Sequence, residues 1–218
     1  MKKLFRNTIV LLLCAGLFIS MNLEAKAAPQ AVVDPRPDYT IYVNRALNCV
    51  TVFAPNENGE NVPVKAMVCS CGREGHGTPM GTFKTSDYYD WRMVVDRTWG
   101  QYAVRFNGHI LFHSVPYFSK NHGDLEWEQY NVLGQSASLG CVRLSVEDAK
   151  WIYDNCKVGT QVVVYEDAET PGPLGKPEGI KIDPDSPFRG WDPTDPSMYN
   201  PWLIQKALEA QAEDTTGK

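Results

Sequence analysis

The chain has 218 residues, with 21 Lys and Arg against 26 Asp and Glu, and a formal net charge of -5 at pH 7. An acidic balance argues against nucleic acid and anionic membrane surfaces as partners, because both select basic faces. The length and a hydrophobic content of 43% suffice for one substantial core, with chain left over.

Lys2, Lys3 and Arg6 form a basic region ahead of the apolar run TIVLLLCAGLFIS, Thr8 to Ser20. Ala25-Lys26-Ala27 then has the A-x-A form that signal peptidase reads. The apolar run is shorter than the roughly 20 residues a membrane span needs. Cys14 follows Leu13, where a lipoprotein signal wants a small residue. Residues 1–27 therefore read as a cleaved signal peptide, with an uncleaved anchor as the weaker alternative, and residues 28–38 as a short linker. The mature product is expected to be soluble and outside the cytoplasm, without a membrane partner. Cleavage removes four basic residues and Glu24, which moves the net charge to -8.

From Tyr39 to Tyr165 the pattern is one of short strands. YTIYVNRALNCVTVFAP alternates apolar and polar residues, NENGEN is a turn cluster, and VPVKAMVCSCG is a second period-two run. TPMGTFKTS reads as a Pro/Gly turn feeding a strand. YAVRFNGHILFHSV holds Asn107-Gly108, a hairpin signal, between two strands. SVEDAKWIYDNC predicts the one clear helix, with Ser145 as N-cap and Val146, Ala149, Ile152 and Tyr153 on one face. TQVVVY is the last buried strand. Residues 39–165 thus predict a mostly β domain with one main helix.

Residues 166–218 differ: they hold eight of the fifteen prolines and eleven acidic against five basic residues. This acidic, Pro-rich C-terminal extension is expected to be extended, with WLIQKALEAQ as a short terminal helix. Trp191 and Trp202 predict that part of it packs on the domain, since linkers are poor in aromatics.

Without Cys14, five cysteines remain: Cys49, Cys69, Cys71, Cys141 and Cys156. Five is odd, so an oxidised exported product leaves at least one thiol unpaired, and two disulfides plus one free cysteine is the simplest arrangement. Cys49–Cys69 and Cys49–Cys71 are both compatible with a hairpin over residues 49–71, and the sequence leaves the connectivity open. Cys69-Ser-Cys71 lacks the partner pair of a zinc site, so no metal is expected.

Two stretches carry chemistry. LFHSV puts His113 at the end of an apolar strand, and SASLGCVRLS puts Cys141 in a small-residue loop just before the helix. A neighbouring imidazole makes a cysteine nucleophilic by taking its proton or pairing with it. Gly140 lets the backbone bend so that successive N–H groups point at one oxyanion. Arg143 alternates to the same side and suits a carboxylate. Singly, each has a plainer reading: half of a disulfide, a satisfied polar residue, a surface ion-pair partner. Their combination moves the balance.

SLGCVRL resembles the S/T-H-G-C-hydrophobic-R/N signature of the L,D-transpeptidase catalytic (YkuD) domain. ILFHSV is similar to that family's histidine motif, GHGTPMGTFKTS to its T-P-x-G-x-F turn, and VGTQVVVY to the strand that ends the domain. The resemblance covers about Tyr39 to Tyr165, with the motifs in family order, and implies an L,D-transpeptidase-like β-sandwich. It implies Cys141 as nucleophile, His113 as general base, the Ser114 carbonyl orienting the ring, and the Gly140 and Cys141 N–H groups as oxyanion hole. Arg143 would bind substrate or brace the loop, with Ser138 and Leu139 beside it on the substrate side.

The resemblance further implies an acyltransferase of the bacterial cell envelope, without metal or organic cofactor, that acts on peptidoglycan stem peptides as donor and acceptor. A thioester forms as the bond between the third residue, a diamino acid, and the fourth, D-alanine, breaks. An acceptor amine then takes the acyl group, giving a 3-3 cross-link. L,D-carboxypeptidase activity at the same site and a silent peptidoglycan-binding domain are the alternatives.

Two departures from the pattern stand out. The family's histidine before Gly-Cys is Leu139 here, with His122 as a candidate substitute. The interval between His113 and Ser138 holds 24 residues, longer than usual, and its YFSKNHGDLEWEQYNVL segment reads as a lid or as a solvated loop.

Overall fold

Alternating β-branched residues build the first hairpin of the described chain, which in this computed structural model runs from residue 34 to 216. The expected signal peptide lies outside the described residues. Strand β1 (Thr40–Asn44) pairs antiparallel with β2 (Cys49–Pro55), with Val43 opposite Val50. The single alternating run read over residues 39–55 is therefore two strands. The break falls at Asn48, whose φ of 53 lies in the left-handed region that asparagine tolerates best after glycine. NENGEN turns β2 into antiparallel β3 (Asn61–Val68). The sheet is completed by β4 (Gly81–Lys84) and β9 (Gln161–Tyr165), in the order β3-β2-β1-β9-β4, with β9 parallel to β1.

The second sheet has the order β5-β6-β7-β8, from β5 (Tyr88–Met93), β6 (Trp99–Asn107), β7 (Ile110–Ser114) and β8 (Val142–Leu144). Asn107-Gly108 turns β6 into β7, with Gly108 at φ 52. β7 and β8 run parallel, and parallel neighbours need a crossover. The long interval after His113 is that crossover, and it carries α1 (Trp127–Tyr130). Between the sheets Ile41, Val43, Val50 and Val52 face Val104, Phe106, Phe112 and Val142 in one core. Helix α2 (Val146–Asn155) buries Val146, Ala149 and Ile152, while Tyr153 is only partly buried. The Asp148 N–H donates to Ser145 Oγ at 3.2 Å, the N-cap expected from the sequence.

The extension runs as a strap and ends in α3 (Pro201–Thr216). Prolines and irregular backbone prevent ladder pairing, so side chains of the domain meet the strap's polar groups. Asn131 bonds both backbone groups of Ile182 at 2.7 Å, Asn44 Nδ2 donates to the Asp167 and Thr170 carbonyls, and the Leu125 N–H donates to the Gly190 carbonyl at 2.8 Å. Ile182 completes a second cluster with Val115, Tyr117, Leu125, Tyr130, Leu133 and Val146. No described helix is long and apolar enough to cross a membrane.

The expected disulfides are absent: all five cysteines among the described residues are free thiols. Cys69 and Cys71 both turn into the core with sulfurs 3.8 Å apart, far beyond bonding distance, and Cys49 faces Val68 across the hairpin. Cys156 closes α2 beside Arg36. Burial pushes the Cys49, Cys69 and Cys156 thiols up, the last to about 12, so they pack as small apolar groups. Parity therefore does not single out Cys141. Exposure does: it is half-buried where the other four are buried.

Candidate active site

The parallel register of β7 and β8 sets His113 beside Arg143, with Cys141 on the residue that enters β8. His113 is 2% exposed. Its Nδ1 lies 2.6 Å from the Ser114 carbonyl oxygen. A carbonyl only accepts, so Nδ1 carries the proton and Nε2 holds a lone pair. Burial, helped by the Arg143 charge, pushes the His113 pKa down to about 4. Gly100 of β6 forms the floor behind the ring: a Cβ there would sit 2.7 Å from Nδ1 and 2.9 Å from the histidine Cβ. The Ser114 hydroxyl accepts from the Gln101 N–H and donates to the Val115 carbonyl, which fixes the end of β7.

The Cys141 thiol is pushed up by burial, while the Leu111 N–H and the Arg143 and Arg105 charges pull it down. At neutral pH Cys141 is thus a thiol and His113 a neutral imidazole. Gly140 takes φ +117, and a Cβ there would meet Ile110 Cδ1 at 2.9 Å. Its N–H, expected at an oxyanion, donates instead to Ser138 Oγ at 3.0 Å, and that hydroxyl donates to the Cys141 carbonyl at 2.5 Å. Thr78, in the TPMG turn, accepts from the Gly72 N–H and donates to the Gly140 carbonyl, both at 2.9 Å. The turn and the cysteine loop are thereby one hydrogen-bonded unit.

These residues surround a cleft of about 310 Å3 lined by His113, Cys141, Ser138, Leu139 and Arg143. Ser114 and Gly140 lie buried behind its wall. Sequence reading missed the opposite wall, made by Arg92, Arg105 and the β5–β6 hairpin tip, Met93 to Val95. At that tip Asp96 (φ 56) and Arg97 (φ 61) are both left-handed, as a two-residue type I′ turn requires, and the Thr98 N–H donates to the Val95 carbonyl at 3.2 Å. The crossover contributes Gln129, whose Oε1 accepts from Arg143 Nη1 at 2.7 Å. Gly100 and Gln129 left no local signal, whereas Thr78 stood inside a motif already noted.

His122 does not replace the missing histidine. Its Nδ1 is 2.6 Å from Asp195 Oδ2, and its ring lies between Trp91 (5.5 Å) and Trp191 (6.1 Å), so it pins the crossover to the strap. Among the described residues no cluster of three or more His, Cys, Asp and Glu is placed to hold a metal ion.

The profile of the L,D-transpeptidase catalytic domain, YkuD, matches residues 38–164. The chain belongs to this family. The match takes in both sheets, α2 and the cleft, and stops one residue short of the end of β9; the strap and α3 lie beyond it. YciB of Bacillus subtilis (strain 168), a protein named for the same family, is 38% identical over 91 residues, covering 40% of this chain and 46% of that protein. The chain thus matches about half the length of this curated relative. Among solved structures, an L,D-transpeptidase from Mycobacterium smegmatis is 21% identical with a TM-score of 0.48, covering 59% of each chain. One from Mycobacterium tuberculosis H37Rv is 26% identical with a TM-score of 0.45, covering 60% of this chain and 58% of that one.

Proposed function

We propose that the protein is an exported cysteine acyltransferase that joins peptidoglycan stem peptides through a Cys141 thioester, as an L,D-transpeptidase. The observation that carries this reading is a thiol and an imidazole on one cleft, the imidazole held with its lone pair on Nε2 by the 2.6 Å bond from Nδ1 to the Ser114 carbonyl. Family membership supports the substrate class.

In the proposed cycle the thiol proton moves to His113 Nε2 as sulfur attacks the carbonyl carbon of the third stem residue. The Cys141 N–H faces the oxyanion, joined by the Gly140 N–H once Ser138 Oγ releases it. Collapse expels the D-alanine amine, which takes the proton from Nε2 and leaves the thioester. The acceptor amine then attacks the thioester, giving up a proton through Nε2 to the departing sulfur. Arg143, Arg92 and Arg105 give the donor cleft a cationic wall suited to the carboxylates of a stem peptide. The charge of His113 is unfavourable in its buried site, so Nε2 accepts the proton only as the thiolate attacks.

Incubation with a disaccharide-tetrapeptide, followed by mass spectrometry, tests the reading. Cross-linked dimers are expected; tripeptide alone would establish the carboxypeptidase instead. Cys141→Ala should lower turnover by at least roughly a thousand-fold, as removal of a nucleophile does. Undiminished turnover in that variant would refute the mechanism.

A further inference from the structure

The Cys141 thiol is held by backbone, and that backbone is held by a side chain. Its Sγ donates to the His109 carbonyl at 3.7 Å, and the Leu111 N–H bonds the sulfur from two residues further on. Both groups flank Ile110, where β7 begins after the two-residue turn Gly108-His109. The carbonyl can hold the sulfur only while it carries its proton, whereas the N–H holds the thiolate as well. Where the nucleophile lies therefore follows from where this turn lies.

Ladder bonds alone do not fix the turn. The register pairs Arg105 with Leu111 but Asn107 with Ile110, a bulge that disrupts the ladder just before the turn. Gly108 is exposed, at φ 52. The side chain that reaches it is Arg105. Its Nη1 donates to the Gly108 carbonyl, its Nη2 donates to the Tyr89 hydroxyl at 3.1 Å, and its Nε lies 3.0 Å from Asp87 Oδ2. Asp87 is itself tied to this strand, since its carbonyl accepts from the Arg105 N–H at 2.9 Å. A guanidinium presents its donors in a rigid fork, so these partners fix its plane; an ammonium on a flexible stem lacks that rigidity. Arg105 is 20% exposed and lines the cleft that holds Cys141, and its charge favours the thiolate. The other titratable or charged groups on this cleft are His113 of β7, Arg143 of β8, Arg92 of β5 and His109 of the turn.

We propose that Arg105 is a positioning residue for the nucleophile: braced by Asp87 and Tyr89, it clamps the Gly108 carbonyl and so holds the His109 carbonyl and the Leu111 N–H against the Cys141 sulfur. The clamp acts on the resting thiol, before any stem peptide arrives, and rests on the transferase reading only where acylation is measured. It is distinct from binding a substrate carboxylate, because the contacts that define it are made to the protein.

The test uses the purified protein and two probes. Iodoacetamide, which is uncharged, reads the thiolate: alkylation of Cys141 is followed across pH by mass spectrometry, with the four buried cysteines as internal controls. A disaccharide-tetrapeptide donor reads acylation. Arg105→Gln should move the midpoint of the alkylation profile up by about half a pH unit or more. Arg105→Lys keeps the charge and loses the fork, so its midpoint should stay with the wild type. In both variants the high-pH plateau should rise about twofold or more, because a released sulfur is more open to the reagent. Acylation kcat should fall by about tenfold in both. Tyr89→Phe, which removes one brace, should lower it by about two- to fivefold. A wild-type plateau in Arg105→Lys would overturn the clamp and leave Arg105 only its charge. An unchanged alkylation profile in Arg105→Gln, with the loss confined to KM, would overturn it in favour of substrate binding. Alkylation of the buried cysteines in step with lost activity would overturn it in favour of a folding role. Wild-type protein that is alkylated at Cys141 but never acylated by the donor would instead overturn the transferase reading, and the alkylation plateaus would still decide the clamp.

Discussion

In the proposed mechanism His113 serves as base because three neighbours decide which of its nitrogens keeps a lone pair. The Ser114 carbonyl holds Nδ1, the Ser114 hydroxyl ties the strand end to the Gln101 N–H, and Gly100 leaves the room in which the ring lies flat on β6. A side chain at Gly100 cannot be absorbed by rotation, since its Cβ itself would lie 2.7 Å from Nδ1. Gly100→Ala should therefore displace the imidazole by a fraction of an ångström to an ångström, and misplacement on that scale costs up to about a hundredfold in rate. The expected outcome is a kcat lower by about 10- to 100-fold with KM nearly unchanged, because the arginines that line the cleft are untouched. Steady-state kinetics on a stem-peptide donor would decide it, and an equal change in both constants would contradict this role for Gly100. Gly100 was not legible in the sequence, since its part depends on what a neighbouring strand presents to it. SLGCVRL and LFHSV were legible because their chemistry is contiguous in the chain, and one parallel register was enough to join them.

At the scale of elements, α2 is capped twice, once by its own sequence and once from the strap. Ser145 supplies the local cap, visible in SVED, while Asp192 reaches in from 46 residues away and accepts from the Val146 N–H at 2.8 Å. That second cap could not be read from the chain, because it follows from where the strap lies. Asp192 is fully buried, and burial pushes its pKa up to about 6 from 3.8, despite bonds from Thr194 and Val146 that favour the charged form. Between pH 4 and pH 6 the folded state therefore holds more protons than the unfolded one at this site, so this contribution to stability falls as pH rises. A rise of about two pKa units corresponds to about 3 kcal/mol. His113 acts in the opposite sense: its folded pKa of about 4 lies below the unfolded 6.5, so its contribution is present above pH 6.5 and is lost as pH falls toward 4. The two effects offset in the shared window, and a variant is needed to expose them. Relative to Asp192→Asn, the wild type should lose about 3 kcal/mol between pH 4 and pH 7, measured by urea unfolding at several pH values. A difference that stays constant with pH would show that Asp192 is not titrating in its buried site.

For the whole molecule, the strap turns a two-sheet domain with an awkward crossover into one packed unit. The crossover's own apolar residues, Leu125, Tyr130 and Leu133, cluster with Val115, Tyr117 and Val146, and Ile182 of the strap completes that cluster. The composition of residues 166–218 announced an extended, acidic segment, and its tryptophans announced contact with the domain. What it packs on was hidden, because Asn131 and His122, which hold it, read as loop residues in a polar insert. If the strap is a staple, deleting one apolar contact should cost stability while leaving the chemistry intact. Ile182 is 2% exposed, and truncation of a buried isoleucine to alanine costs about 2–5 kcal/mol. In a domain of this size that corresponds to a melting temperature lower by about 5–15 °C. Ile180, two residues earlier and 50% exposed, is the control, and Ile180→Ala should change stability by less than about 0.5 kcal/mol. Both variants should form the Cys141 acyl-enzyme at the wild-type rate at 25 °C, because neither side chain lines the cleft. A stable Ile182→Ala with slowed acylation would mean that the strap sets the geometry of the site rather than the stability of the crossover that borders it.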